Sequence, residues 1–224
     1  MIEQEDIFDE VKDNLGLWCE ADCAGGDLAA AAGVAITNKL RAVSVAPSGI
    51  APLWAWLENT KVKIFGRFYI DEKIDDDFMS DFSSRVSASF RDGADGAMVF
   101  MRMRDLEQFV SEVACVRDDL FFNKTFSIGL DINEIDSSDW ETVFKLLQSV
   151  RADVLTLFLS RDDGDKSDFV GRVYAMLNTN MGDWHGALHF MLGKNVARID
   201  QVYRLLYQMR FNQTQKMLFW VTKE

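Results

Sequence analysis

Eight short apolar runs recur along the chain, at Leu17–Ala21, Ala42–Ala46, Val62–Ile70, Ala97–Met101, Phe126–Ile132, Val154–Leu159, Ala187–Leu192 and Met217–Val221. Segments with helical spacing separate them, among them Asp105–Arg117 and Trp140–Val150. This alternation demands a parallel sheet, because a parallel neighbour is reached only by a crossover that carries the chain back over one face. Eight such units in 224 residues predict an α/β fold, a compact (β/α)8 TIM barrel near the lower end of the usual ~200 to 400 residues. The expected organisation is a single domain over 1–224, with an N-terminal helical segment over 1–14. In a barrel the C-terminal strand ends gather at one mouth, so functional side chains are sought there.

The balance of 24 basic against 36 acidic residues gives a net charge of −12. Phosphate contact with nucleic acid needs a basic footprint, and docking on anionic membranes needs a polybasic segment; neither partner is expected. No run reaches the ~20 apolar residues of a bilayer span, and the acidic stretch Met1–Asp13 is unlike a signal peptide. Cys19, Cys23 and Cys115 form no even framework, so a reducing cytoplasm is the expected compartment. Cys19 and Cys23 lack a second pair and only His185 and His189 could join them, so no structural zinc is expected.

Helix starts are legible from local chemistry. Ser138 with Glu141 forms a capping box ahead of Val143, Leu146 and Leu147. Ser48 opens a helix carrying Leu53, Trp54 and Leu57, Asp105 one carrying Leu106, Phe109 and Val113, and Ser167 caps one carrying Val170, Val173, Tyr174 and Leu177. Gly25-Gly26-Asp27 reads as a tight turn into the Ala-rich stretch Leu28–Ala35, and the acidic patch Asp71–Asp81 as a solvated loop or helix start after the third strand, on the mouth side, where a substrate-facing role stays open. The last helix, Val196–Met209, carries Ile199, Val202, Leu205, Leu206 and Met209 on one stripe that packs on the barrel. After the eighth run come only Thr222, Lys223 and Glu224, so the usual helix after strand eight is missing. The N-terminal residues Ile2, Ile7, Phe8 and Val11 could cover the gap; an uncovered gap would expose an apolar patch, from which a homodimer is expected.

The stretch AVSVAPSGIAPLWAWL, beginning at Ala42, and the following KVKIFGRFYI resemble the second and third units of the deoxyribose-phosphate aldolases, class I aldolase barrels. The likeness continues at Arg85–Met101 with Asp92-Gly93-Ala94-Asp95, at Ser127–Ile135, at Ala152-Asp153, and at His189–Arg204 with Gly193. The resemblance implies a Schiff-base lysine on strand six, but that position holds Thr156, which has no primary amine. The family's acid on strand four falls on Met98 and its second lysine, on strand seven, on His189. The resemblance thus implies an aldolase-like barrel without the family's iminium.

Asp131 on strand five matches a carboxylate of that family and is the first general acid/base candidate, or else a buried acid paired with Arg102 or Arg67. His189 is the second, or else a hydrogen-bonded core histidine. Glu20 and Asp22 share one face at the end of strand one and join the catalytic candidates. Arg102 at the end of strand four, Thr156, and Arg67 or Tyr69 on strand three complete the inward set. Lys166, before a helix N-terminus that favours anions, and Lys194 after strand seven are ligand holders or solvated loop lysines. Glu20, Asp22 and Asp131 could hold a cation through oxygen, but nothing in their spacing demands it; no metal and no cofactor is expected. Two functions stay open. One is a lyase or isomerase acting on a small carbonyl or sugar-like ligand; the other is a non-catalytic barrel that binds or assembles.

Overall fold

In the computed structural model, which describes residues 11–20, 25–159, 168–193, 195–209 and 217–222, every apolar run is a strand. They are β1 (Leu15–Trp18), β2 (Ala42–Val45), β3 (Lys63–Tyr69), β4 (Gly96–Met101), β5 (Thr125–Asp131), β6 (Val154–Phe158), β7 (Ala187–Met191) and β8 (Met217–Thr222). Each pairs in parallel with the next and β8 pairs with β1, closing the sheet into a barrel without an edge. The crossovers carry α1 (Gly25–Thr37), α2 (Ile50–Leu57), α3 (Asp76–Arg91), α4 (Leu106–Ala114), α5 (Arg117–Leu120), α6 (Trp140–Ser149), α7 (Phe169–Leu177) and α8 (Val196–Gln208).

The strands are largely apolar on both faces because each face is covered, one by helices and the other by the barrel's own filling, with Ser44, Arg67, Ser127, Thr156 and His189 as inward polar exceptions. All six residues of β4 are buried. On the outside, Val43, Val99, Ile128, Leu155 and Phe219 join Leu53, Phe109, Val143, Val173 and Val202 of the helices in one continuous layer. Each such side chain contributes about 1.5–3 kcal/mol by leaving water. Inside, Trp18, Phe65, Met98, Phe100, Leu218 and Trp220 form a separate cluster, flanked by Phe158 and Met191. Rings of this size fit because glycines face them. A Cβ at Gly16 would lie 2.7 Å from Trp220, one at Gly129 2.3 Å from Phe100, and one at Gly96 2.6 Å from Phe65.

Several helix starts differ from the sequence expectation. Ser138 makes no capping box: α6 begins after Asp139, which offers no side-chain cap, and the Ser138 hydroxyl turns 3.4 Å to the Asp139 carboxylate instead. Pro47–Gly49 forms a 3-10 turn that feeds α2 directly, so Ser48 does not cap it. Asp105 stands at the start of α4 without a side-chain bond to its amides. Gly25 and Gly26 are the first residues of α1 rather than a turn. Ser167 lies outside the described residues; Asp168 caps α7 by accepting from the Gly171 amide at 3.0 Å. Asp75, from the acidic patch, caps α3 by accepting from the Phe78 amide.

The outer side of β8 is covered. Met217 and Phe219 are buried in the cluster that holds Val11, Leu15, Ile199, Val202 and Leu206. The 3-10 turn Lys12–Asn14 packs against β8, while residues 1–10 lie outside the described residues. Among the described residues, the apolar gap expected there is not exposed.

Candidate functional site

Following the register round the ring stacks the inward side chains in tiers drawn from alternate strands. From the N-terminal pole upward these are Gly16, Phe65, Ser127 and His189; then Ser44, Met98, Thr156 and Trp220; then Trp18, Arg67, Gly129 and Met191; then Phe100 and Phe158. Glu20, Tyr69 and Asp131 crown the stack at the mouth, with Arg102 beyond them.

The mouth is a cavity of about 680 Å³ lined by Tyr69, Asp71, Phe100, Arg102, Asp131, Asn133, Glu134 and Phe158 among others. That size suits a small metabolite. Its lining mixes ring faces with charge. Tyr69 stacks on Phe100 at 5.3 Å, and Phe158 meets Phe100 edge-on at 5.3 Å. Partial desolvation of the half-exposed Tyr69 is the main cause that raises its pKa; Arg67 opposes it and the Glu20 carboxylate adds to it, so the phenol stays a donor at neutral pH. Glu20, exposed after β1, thus acts on the mouth electrostatically.

Hydrogen bonds hold the loop after β5 in place. Asp131 accepts from the Asn133 amide at 2.9 Å, and Glu134 accepts from the Met103 amide at 3.0 Å, tying this loop to the one after β4. Arg172 of α7 donates to the carbonyls of Ile132 and Ile135 at 3.3 and 3.0 Å. Asn133 and Glu134 escape an inward-face reading because they belong to a 3-10 turn, where strand alternation no longer applies. The available signal was their position just past a strand that ends in Asp131.

Asp131, Arg102 and Tyr69 are thus brought together, and Asp131 is nearly covered, at 4% exposure. Strand three contributes both Arg67 and Tyr69 rather than one of them, since they stand two apart on one face. Arg67 lies lower, buried, with its guanidinium 4.1 Å from the centre of the Trp18 ring. Thr156 is fully buried and shares a 2.8 Å hydroxyl–hydroxyl hydrogen bond with Ser127. It sits beneath the Trp18, Phe100 and Phe158 rings, out of reach of the mouth. His189 is not at the mouth: it lines a cavity at the opposite pole, and the two cavities share no residue. Asp22, Lys166 and Lys194 lie outside the described residues. Among the described residues no three His, Cys, Asp or Glu side chains are grouped to hold a metal ion, and no helix is long and apolar enough to cross a membrane.

No family model matches the chain, and no curated protein sequence matches it. Solved structures do. A Toxoplasma gondii ME49 protein assigned as a deoxyribose-phosphate aldolase superposes with a TM-score of 0.71 at 13% identity, over 96% of this chain and 92% of that one. The tetrameric deoxyribose phosphate aldolase of Aeropyrum pernix gives 0.67 at 12% identity, over 94% and 86%. A phosphonopyruvate hydrolase gives 0.55 at 9% identity, over 95% and 76%. At such identities the likeness shows the fold. The chain is a (β/α)8 TIM barrel, similar in the course of its backbone to the deoxyribose-phosphate aldolases.

Proposed function

We propose that this barrel binds a small polyhydroxylated metabolite at its mouth without Schiff-base aldol cleavage. The observation that carries the proposal is Thr156, which occupies the strand-six position of the resembled lysine and is bonded to Ser127 below a ceiling of aromatic rings. A carbonyl carbon needs an amine to form an iminium, and no lysine is among the described residues that line the mouth. His189 does not serve Asp131 as a proton relay there, because it faces the other pole. What the mouth offers is recognition: carboxylates of Asp71, Asp131 and Glu134 to accept from hydroxyls, Arg102 to donate, and the Tyr69 and Phe158 rings to cover C–H faces.

Treatment with acetaldehyde or glyceraldehyde followed by borohydride is expected to leave the intact mass unchanged. Calorimetric titration with small sugars and polyols is expected to give saturable binding that Asp131→Asn and Arg102→Ala each weaken about tenfold. An adduct on Lys166 or Lys194, or turnover that disappears in Asp131→Asn, overturns the proposal in favour of a lyase or isomerase. A homodimer belongs to the same proposal, supported by the tetrameric Aeropyrum pernix protein of like fold. Light scattering tests that part; a monomer at micromolar concentration is the negative result.

A further inference from the structure

The pole opposite the mouth holds a cavity of about 440 Å³ whose lining includes four cations, Lys39, Arg41, Lys61 and Lys63, and, among the described residues, no carboxylate. In a chain with 36 acidic and 24 basic residues this local balance is inverted. Lys39 and Arg41 come from the turn between α1 and β2, Lys61 from the turn between α2 and β3, and Lys63 is the first residue of β3, on its inward face. The side chains of Lys39, Lys61 and Lys63 make no ion pair with any described residue. Arg41 donates to the Asn14 side chain at 2.8 Å, which fixes its guanidinium at the rim.

The floor adds an independent observation. His189 lines this cavity at 7% exposure, and its Nδ1 is buried without a hydrogen-bond partner among the described residues. The ring is clamped edge-on by Phe65 at 6.2 Å and by Trp220 at 5.7 Å. A buried ring nitrogen left unpaired is costly unless something in the cavity completes it. Like charges gathered at one opening repel one another, and an anion entering between them relieves that repulsion while accepting hydrogen bonds from ammonium, guanidinium and imidazole N–H groups.

We propose that the N-terminal pole of the barrel is a binding site for phosphate, held at a rim of Lys39, Arg41, Lys61 and Lys63 above His189. The floor of Phe65, Val154 and Leu218 is apolar, so the group bound there is either a free phosphate or the phosphate end of a small organic molecule whose carbon part reaches the floor. The site is separate from the mouth, and its fate does not depend on what the mouth binds.

The test is a titration of the full chain at low ionic strength with inorganic phosphate, with pyrophosphate and with glycerol 3-phosphate. It is read by calorimetry and by the ring signals of the chain's two histidines, His185 and His189. Saturable binding with a dissociation constant of about 1 mM or tighter is expected, with the His189 signal moving more than that of His185. The double variant Lys61→Glu/Lys63→Glu, confined to exposed side chains, is expected to abolish it, and Lys61→Ala/Lys63→Ala to weaken it at least tenfold. Arg102→Ala at the mouth is expected to leave it unchanged. Tighter binding of glycerol 3-phosphate than of phosphate identifies an organic ligand; equal binding identifies the free anion. Absence of saturation, indifference to the lysine variants, or loss of binding in Arg102→Ala each overturns the proposal.

Discussion

At the mouth, the carboxylates of Asp71, Asp131 and Glu134 surround the rings of Tyr69, Phe100 and Phe158; at the other pole, four cations surround a buried imidazole and, among the described residues, no carboxylate lines the opening. Part of this contrast follows from helix direction. In the crossovers of a barrel the helix N-termini lie on the mouth side and favour acids, as Asp75, Asp76 and Asp77 show at the start of α3, while the C-termini favour cations at the opposite side. Lys39 and Lys61 follow the ends of α1 and α2 and fit that rule. Lys63 does not, since it stands on a strand and faces inward. Helix direction therefore accounts for the sign of each pole and not for cations converging on one cavity.

The two poles are kept apart by the ringed filling of the barrel, and the comparison can be broken there first. Phe100→Ala removes the ring that touches Trp18, Tyr69 and Phe158 and is expected to cost about 3–5 kcal/mol in urea unfolding. A loss below about 1 kcal/mol would mean that the rings form no close-packed wall. Next is the Ser127–Thr156 pair. Thr156→Val strands the Ser127 hydroxyl in the interior and is expected to cost about 1–3 kcal/mol, whereas Ser127→Ala/Thr156→Val removes both partners and should cost clearly less. Equal losses in single and double variants would sink the view that the two hydroxyls satisfy each other.

The pole of His189 has a signature in pH. Burial first, and the positive charge of Arg41 second, push its pKa down to about 3. The unfolded chain, with an ordinary histidine pKa near 6.5, binds more protons between these values. Stability from this group is therefore complete above about pH 6.5 and declines as pH falls towards 3. Relative to His189→Gln, the native chain is expected to lose about 2 kcal/mol between pH 7.5 and pH 5 in urea midpoints. Parallel pH profiles would show that His189 titrates normally. The smallest effect is at the mouth: Glu134→Ala frees the Met103 amide and should cost about 1 kcal/mol or less, while loosening the two loops in amide exchange.

Strand number, order of elements and inward parity were legible, because two-residue alternation and helical spacing are local properties of the chain. Asp131, Thr156 and His189 all face inward as the pattern requires. Their heights were not legible. His189 is the middle residue of β7 and Asp131 the last of β5, and the stagger of a closed barrel separates them by tiers although both share one parity. The capping box at Ser138 failed for a related reason: its spacing was right, but the chain turns through Asp136–Asp139 before the helix begins, and the Ser138 hydroxyl faces Asp139 instead of an amide. Arg67 and Tyr69 likewise divide by depth, one under the rings and one above them.

The glycines opposite the large rings bear on any attempt to install aldol chemistry in this scaffold. Thr156→Lys would set an ammonium tip beneath indole and phenyl groups already wedged against Gly16 and Gly129, with no room for the extra methylenes and no route for a carbonyl to arrive. Lysine at 156 becomes an evolvable starting point only after Trp18, Phe100 or Phe158 has been trimmed to open a shaft from above.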